Sequence, residues 1–277
     1  MKTKANIQME VAKAIVAARK ANPLAGSITN TITVNFVANA QLAVGGSAAM
    51  IYLPDEAESL VNVGSAFYIN VGGLFPIYEE TMPRAADTLF KTGKPWVLDP
   101  VAIGIGLLRT SLLSLFKDFK PTVIRGNASE VIALAALWGL GEKGKSTVRG
   151  VDSVDAVTAA RPAAVALARW TGGAVAVSGE VDLVTDGKTV AFSHGGSHFM
   201  EKITGAGCSL GGVAAVYAAV ARPFTAAFAA TAMYNLAGRR AGEKAGGPGS
   251  FQVRFLDELY RASAEDVANN PFELEEA

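Results

Sequence analysis

The segment PTVIRGNASEVIALAALW, residues 121–138, contains the structural unit from which the fold is built. Its first part, PTVIRG, is a short apolar run with β-branched residues, which predicts a strand. The alanine-rich part that follows predicts a helix over Ala128–Trp138. Asn127 and Glu130 have the spacing of a capping box, in which each side chain accepts a hydrogen bond from the other residue's backbone N–H. The segment therefore predicts a strand that leads directly into a helix.

The same alternation extends along the chain in both directions. Before the segment, strands are predicted at AAMIYL, AFYINVGG and KPWVLD, and each is followed by a helix. After it, a helix over Val154–Trp170 precedes the strand GAVAVSG and a hairpin with Asp186-Gly187 at its turn. This alternation predicts an α/β protein with three layers, α/β/α, around a mainly parallel central sheet. No repeat or linker divides the chain, so we expect one domain over residues 1–277.

Four other segments carry weaker predictions. The N-terminus predicts an amphipathic helix, and TNTITVNFVANAQLAVGG, residues 29–46, predicts a helix whose apolar face begins at Ile32. The polar stretch GEKGKSTVRG, residues 141–150, predicts a connection between elements. The final FELEEA, residues 272–277, predicts a frayed acidic end.

Composition argues against several classes of partner. The 277 residues include 25 basic and 25 acidic side chains, so net charge favours neither nucleic acid nor an anionic membrane. The single cysteine cannot form an internal disulfide, and the N-terminus lacks the pattern of a signal peptide, which together predict a cytoplasmic protein. The longest apolar run, residues 205–220, is short and rich in glycine and alanine, and predicts a buried helix rather than a membrane span. We therefore expect a small ligand.

The glycine-rich stretch ITGAGCSLGG, residues 203–212, precedes that apolar helix. Gly205, Ala206 and Gly207 would leave backbone N–H groups unobstructed at the helix N-terminus, which is an arrangement suited to a phosphate. The alternative is a turn that only lets helix and strand pack closely. The stretch matches neither a Walker A loop nor a GxGxxG fingerprint, so a phosphate site needs support from other residues.

Polar residues stand where three predicted strands end, and in parallel sheets ligands bind beyond such ends. Arg125 offers a fork of donors suited to a phosphate. Glu130 could cap its helix, hold water bound to Mg²⁺, or do both. Asp99 either caps the next turn or faces Mg²⁺, and Ser178 bonds either a nucleotide phosphate or its own turn.

Eight short runs occur in an order that is similar to one known family. The most specific are RGNASE (residues 125–130) and TGAGC (204–208). The others are SITN (27–30), NFVAN (35–39), AAM (48–50), DPV (99–101), GVDS (150–153) and SGEVD (178–182). Together they resemble the hydroxyethylthiazole kinases of the ribokinase-like superfamily, from about Pro23 to the C-terminal helices. Two departures are Ala206, where the family usually has threonine, and the approach Ala25-Gly26-Ser27, where a basic or aromatic residue is common.

The resemblance implies transfer of the γ-phosphate of ATP, with Mg²⁺, to the primary alcohol of 4-methyl-5-(2-hydroxyethyl)thiazole in thiamine biosynthesis and salvage. By position, Arg125, Ser178 and Thr204 would contact ATP, and Asp99 and Glu130 would organise Mg²⁺ and its waters. Family members form trimers with active sites between subunits, so the resemblance implies a homotrimer. The resemblance also implies a catalytic turn that contains Cys208, Gly205 and Gly207. It implies that the thiazole is contacted by Met50, Gly205, Asn30 and Asn35. Of these, Asn30, Asn35 and Met50 would serve the site of a neighbouring subunit.

Cys208 stands where sugar kinases of the superfamily have the aspartate that takes the proton of the alcohol. A helix N-terminus lowers the pKa of a thiol, whereas bound phosphates raise it, and the sequence leaves their balance open. Because phosphoryl transfer depends mainly on positioning and charge stabilisation, we expect Cys208 to matter less than Arg125 and the glycines. The alternative role for Cys208 is that of a small buried hydrophobe.

Two other functions stay open at this point. A related kinase for hydroxymethylpyrimidine or a pyridoxal-like alcohol would share the phosphate site but would not resemble the ITN, NFVAN and AAM runs. A non-catalytic nucleotide-binding protein of the same fold would not need Asp99, Arg125, Glu130 and Cys208 together. An NAD-dependent enzyme is excluded, because no early glycine fingerprint is followed by an acidic residue at the usual distance.

Overall fold

The computed structural model of the chain describes residues 2–141 and 153–277. Within these ranges, one sheet contains nine strands. They are β1 (Leu24–Ile28), β2 (Ser47–Met50), β3 (Ala66–Asn70), β4 (Trp96–Asp99), β5 (Val123–Asn127), β6 (Ala174–Ser178), β7 (Asp182–Thr185), β8 (Thr189–Ser193) and β9 (Phe272–Glu276). Their order across the sheet is β2-β1-β3-β4-β5-β6-β7-β8-β9. The pairings from β2 to β6 are parallel and those from β6 to β9 are antiparallel, so the predicted mainly parallel sheet is confirmed.

Helices cover both faces of this sheet. In chain order they are α1 (Lys4–Ala21), α2 (Val34–Ala43), α3 (Pro54–Val63), α4 (Tyr78–Thr92), α5 (Leu107–Leu115), α6 (Ala128–Leu137), α7 (Ser153–Thr171), α8 (Ala206–Ala218), α9 (Pro223–Gly242), α10 (Pro248–Arg261) and α11 (Ala264–Ala268). One hydrophobic core contains side chains of α1, α2 and α8–α11, and a second core on the other face contains side chains of α3–α7. The three-layer α/β/α architecture is therefore confirmed.

Local signals explain why several helices begin and end where they do. Pro54 stands at the start of α3, where its missing N–H is not needed and its fixed φ suits the helix. Gly93 ends α4 in the left-handed region, at a φ of +66°. The capping box of Asn127 and Glu130 is formed at the start of α6. These positions were readable from the sequence because each signal acts over only a few residues.

Strand β1 was not predicted, and its small residues explain why. LAGSI carries little of the β-branched or aromatic character that marks a strand. Gly26 is buried in close contact with the neighbouring layer, because a Cβ at this position would lie 2.6 Å from both Leu60 Cδ2 and Phe67 Cε2. Tight packing therefore requires small residues in β1, and these small residues are the reason that the sequence did not predict the strand.

Two other predictions were wrong. Helix α2 begins at Val34, so Ile32 is not on its apolar face and is 81% exposed. The C-terminal FELEEA does not fray, because Phe272–Glu276 forms β9 and pairs with β8 in an antiparallel register. Phe272 is buried while the glutamates of β9 remain at the surface, a period of two that suits an edge strand. Most of the predicted connection at residues 141–150, and the start of the GVDS run at 150–153, lie outside the described residues.

None of the helices in residues 2–141 and 153–277 combines enough length with enough apolar character to cross a bilayer. The apolar run at residues 205–220 instead forms most of α8, whose middle is buried on all sides. The predicted buried helix is thus confirmed.

Candidate active site

The carboxyl ends of the parallel strands converge on the N-terminus of α8. Asp99 ends β4, Arg125 lies in β5, and Ser178 ends β6. A cavity of about 580 Å³ opens beside Arg125 and Ser178. Its lining includes Arg125, Ser178, Asp182, Gly196, Gly207 and Asn235. The structure therefore brings together the residues that the sequence singled out at three separate strand ends.

Arg125 connects the strand ends to the glycine turn. Its buried guanidinium donates a hydrogen bond to Ser178 Oγ at 3.1 Å, and its Nη1 lies 3.5 Å from Asp99 Oδ2. Burial disfavours the charge, but the carboxylates of Asp99 and Glu130 outweigh burial and raise the pKa of Arg125. Arg125 is consequently a fixed cation at the edge of the cavity.

The glycine turn at the start of α8 has geometry that only glycine supplies at two positions. Gly205 has a φ of +93°, and a Cβ there would lie 2.9 Å from Thr33 Cγ2. A Cβ at Gly207 would lie 2.6 Å from Arg125 Nη2. Helix α8 begins at Ala206, and no side-chain hydrogen bond caps its N-terminus. The first N–H groups of a helix without such a cap are available to an anion.

Cys208 occupies the first turn of α8 and is partly buried. Its Sγ lies 3.6 Å from Asn30 Nδ2, which is positioned as a donor. Burial and the negative charge of Asp99 raise the pKa of this thiol more strongly than Arg125 lowers it. In the free protein these neighbours of Cys208 favour a neutral thiol.

Asp99 is fully buried, and its two carboxylate oxygens are in different environments. Oδ2 accepts hydrogen bonds from Tyr68 at 2.8 Å and Asn70 at 3.1 Å, and faces Arg125 at 3.5 Å. Oδ1 is equally buried but has no hydrogen-bond partner among the described residues. Burial raises the pKa of Asp99 despite the opposing charge of Arg125. An orphaned carboxylate oxygen of this kind is suited to a cation or to a water bound by one.

Glu130 has a structural role in addition to any role at the site. Its Oε2 accepts a hydrogen bond from Asn127 N at 2.8 Å, which completes the capping box. Its Oε1 accepts a longer bond from Ala102 N at 3.4 Å. No group of three or more possible metal-ligating side chains was found in the part of the chain that the structure describes. The residues therefore fit Mg²⁺ only as an ion held largely by phosphates and water, with Asp99 as the protein oxygen that is still available.

Two residues of the buried network were missed by the sequence reasoning. Tyr68 and Asn70 lie two positions apart on β3, so their side chains share the face that packs on α8. Asn70 donates to Tyr68 Oη at 2.9 Å and accepts from Asn30 at 3.2 Å. The sequence offered one signal, a polar residue at the carboxyl end of the AFYIN strand, but it did not indicate which residue that side chain would contact.

Four other predicted site residues do not line the cavity beside Arg125. Asn35 and Thr204 line a second cavity of about 360 Å³. Met50 ends the edge strand β2 and packs partly against the first core. Asn30, which the resemblance assigns to a neighbouring subunit's site, contacts Cys208 of its own chain. One chain thus brings the residues that were predicted to bind phosphate closer together than the residues that were predicted to bind the thiazole.

The fold and the convergent strand ends define a class of protein: a three-layer α/β/α protein with a polar site at the carboxyl ends of its parallel strands. Two structural neighbours show the fold alone. These are the pyridoxal kinase from Staphylococcus aureus in complex with ADP, with a TM-score of 0.58 at 17% identity, and a ribokinase-like superfamily protein from Enterococcus faecalis, with a TM-score of 0.63 at 13% identity. They cover 92% and 93% of this chain and 99% and 94% of their own.

Closer comparisons define the family. The model of the hydroxyethylthiazole kinase family matches residues 15–265. A hydroxyethylthiazole kinase of Bifidobacterium longum is 52% identical, with 95% of this chain and 90% of the relative covered. The structure of a hydroxyethylthiazole kinase protein from Pyrococcus horikoshii has a TM-score of 0.84 at 31% identity, covering 96% of this chain and 98% of its own. The chain belongs to the hydroxyethylthiazole kinase family.

Proposed function

We propose that this chain, acting as one domain over residues 1–277, transfers the γ-phosphate of ATP to the primary alcohol of 4-methyl-5-(2-hydroxyethyl)thiazole. The reaction is a step in thiamine biosynthesis and salvage, and the cytoplasm is the proposed location. Membership of the family supports the substrate. The observation that carries the phosphoryl-transfer chemistry is the convergence of Arg125, Ser178 and Asp99 on the glycine turn of α8.

The phosphate groups of ATP would bind between Arg125 and the start of α8. Arg125 provides a buried, permanent positive charge, and Ser178 provides a hydroxyl at 3.1 Å from it. The N–H groups that follow Gly205 would stabilise the negative charge of the transferring phosphoryl group. The transition state of this reaction is loose, so most of the catalysis comes from two effects. The protein holds the attacking oxygen of the alcohol in line with the leaving oxygen of ATP, and it neutralises negative charge. Thr204, just before the turn, is proposed as a further ATP contact.

Cys208 would contact the reacting alcohol, which has to lie beside the glycine turn. A neutral thiol with a raised pKa is a weak base at neutral pH, so its role would be to accept a hydrogen bond and orient the alcohol. Asn30 supports this role because its Nδ2 faces Sγ and restricts where the thiol points. Gly205, Asn30, Asn35 and Met50 are the proposed thiazole contacts.

A Mg²⁺ ion bound with ATP would neutralise charge on the β- and γ-phosphates. Asp99 would hold the ion or its water through Oδ1, the oxygen with no protein partner among the described residues. Glu130 would act through water, since its Oε2 is engaged in the capping box. This chain's contribution is thus to orient one buried carboxylate and to anchor a second at a helix start.

We further propose that the chain forms a homotrimer with active sites between subunits. Exposed apolar side chains follow the carboxyl ends of three adjacent strands: Ile32 after β1, Leu53 after β2 and Phe75 after β3. They are 81%, 47% and 48% exposed. Strand β2 also presents an unpaired sheet edge in the single chain. A second subunit at this end would cover the apolar residues and complete the thiazole side of the site near Met50.

The proposed activity is tested by measuring ADP release from ATP and Mg²⁺ with hydroxyethylthiazole, hydroxymethylpyrimidine or pyridoxal offered separately. We expect turnover with the thiazole alcohol only, and none when EDTA removes the metal. Arg125→Ala is the site control and should abolish turnover. Preference for another alcohol would contradict the assigned substrate but not the phosphate site. ATP binding without turnover on any alcohol would instead indicate a non-catalytic nucleotide-binding protein.

A further inference from the structure

We propose that Tyr68 is a positioning residue for the reaction: together with Asn70 it holds Oδ2 of Asp99, so that Oδ1 alone is left for the cation that accompanies ATP. The inference deepens the proposed function and rests on it. It concerns a hydroxyl that is fully buried in β3. The hydroxyl donates a hydrogen bond to Asp99 Oδ2, so Tyr68 acts through the carboxylate.

The hydrogen bonds around Tyr68 leave it one orientation. Its Oη donates to Asp99 Oδ2 at 2.8 Å and accepts from Asn70 Nδ2 at 2.9 Å. Asn70 is itself fixed, because its Oδ1 accepts from Asn30 Nδ2 at 3.2 Å and from Gly72 N at 2.9 Å. Each polar group of Asn70's side chain is thus engaged, and the direction of each bond is determined.

The packing of α8 also depends on the Tyr68 ring. Gly211 lies in the middle of α8, and a Cβ there would lie 2.8 Å from Tyr68 Cζ and 2.9 Å from Tyr68 Oη. Real Cβ atoms do not make contacts this short, so an alanine would force the ring to move. The helix that begins with the glycine turn therefore also leaves the space in which the tyrosine reaches Asp99.

Loss of the hydroxyl should change how Asp99 uses its two oxygens. With Tyr68 present, Oδ2 has three partners and Oδ1 has none among the described residues. Without it, the carboxylate can rotate and share its oxygens differently between Arg125 and the cation. Because the lost hydrogen bond was made to a charged group, we expect the cation to bind about tenfold more weakly.

The test measures binding of Mn²⁺, as a probe for Mg²⁺, to the protein–ADP complex by electron paramagnetic resonance. Tyr68→Phe removes only the hydroxyl and should weaken Mn²⁺ binding about tenfold, with ADP affinity in EDTA unchanged. Tyr217→Phe is the matched control, because Tyr217 lies in α8, is fully buried, and its hydroxyl has no hydrogen-bond partner among the described residues. It should bind Mn²⁺ like the wild type.

A second variant tests the same contact without deleting the hydroxyl. Gly211→Ala should displace the ring of Tyr68 and weaken Mn²⁺ binding about tenfold. In a protein that already carries Tyr68→Phe, Gly211→Ala should weaken Mn²⁺ binding by less than a further twofold. Asp99→Asn separates the positioning role of Tyr68 from the metal role of Asp99. If Asp99→Asn loses Mn²⁺ binding while Tyr68→Phe retains wild-type affinity, the positioning role is overturned and the metal role of Asp99 stands. If Asp99→Asn also binds normally, the metal role fails and the inference fails with it.

Discussion

The thiol of Cys208 lies in the first turn of α8, beside Asn30 and near the charges of Asp99 and Arg125. Its environment raises the pKa, with burial as the largest cause. A catalytic thiolate would need the opposite environment, in which positive charge dominates. At the scale of single residues, the neighbours of Cys208 thus favour orientation of the alcohol over proton abstraction.

We expect Cys208→Asp to keep or raise the turnover number. A carboxylate is a stronger proton acceptor than a neutral thiol, and Arg125 and the helix N-terminus would stabilise its charge. Cys208→Ala should lower turnover by at most about 10²–10⁴-fold, the usual range for general-base assistance. Steady-state kinetics with saturating ATP measure both. Loss of all activity in Cys208→Asp with ATP binding intact would contradict a base-like role at this position.

Asp182 provides a prediction about pH. The residue accepts a hydrogen bond from Gly179 N at 2.8 Å, and burial raises its pKa from the ordinary aspartate value of 3.8 to about 6. The folded protein therefore binds more protons than the unfolded chain between these two pKa values, and stability falls as pH rises through that window. The loss attributable to Asp182 is up to about 3 kcal/mol.

Asp182→Asn should remove this part of the pH dependence. We expect the free energy of unfolding of the variant, relative to the wild type, to rise between pH 4 and pH 6. Urea denaturation of the ligand-free protein at several pH values measures the difference. Parallel pH profiles for the two proteins would show that Asp182 titrates normally.

Glu130 caps helix α6 and is also proposed to hold a water of Mg²⁺, and substitutions in α6 can separate these two roles. Glu130→Gln should preserve the capping box, because the glutamine oxygen can still accept from Asn127 N, but it removes the charge. Stability should stay within about 0.5 kcal/mol of the wild type while Mg²⁺-dependent turnover falls at least tenfold. Asn127→Ala should have the reverse effect. Its free energy of unfolding should fall by about 1 kcal/mol, and its turnover should fall less than that of Glu130→Gln. Equal effects of both variants on turnover would indicate that Glu130 acts only as a cap.

The start of α8 gives a second prediction at the same scale. Gly207→Ala would place a methyl group within 2.7 Å of both terminal nitrogens of Arg125 and displace the guanidinium. We expect the KM for ATP to rise at least tenfold. Gly246→Ala is the control, since a Cβ there meets nothing within 4 Å. Wild-type kinetics in Gly207→Ala would contradict the placement of phosphate between Arg125 and the glycine turn.

For the whole molecule, the decisive question is what covers the apolar end of the sheet near β2. We expect sedimentation velocity to give the mass of three chains for the wild type. Leu53→Asp should yield a smaller species with strongly reduced turnover, because the charge would be buried at the interface. Val63→Asp is the control: Val63 is 74% exposed at the opposite end of α3. A wild-type monomer with full activity would overturn the trimer and the intersubunit site.

Much of the architecture, and the position of several candidate site residues, could be predicted because the signals are local. The alternation of strands and helices follows from periodicity, the capping box of Asn127 and Glu130 spans four residues, and the glycine turn follows from a backbone conformation that other residues avoid. Arg125, Asp99 and Ser178 were singled out because each stands at or near a strand end. Parallel strands bring such ends together without further information.

The tertiary structure decided what depends on contacts between distant segments. β1 has small residues because its neighbours leave no space, and β9 forms because β8 offers it an edge. The bond from Tyr68 to Asp99 joins residues 31 positions apart, and that from Asn30 to Cys208 joins residues 178 apart. Sequence alone determined the layers, several of the helix starts and the glycine turn before α8, since these depend on local backbone preferences. Which polar side chains meet in the interior was decided by three-dimensional packing, because burial makes each such group depend on a partner that no local pattern identifies.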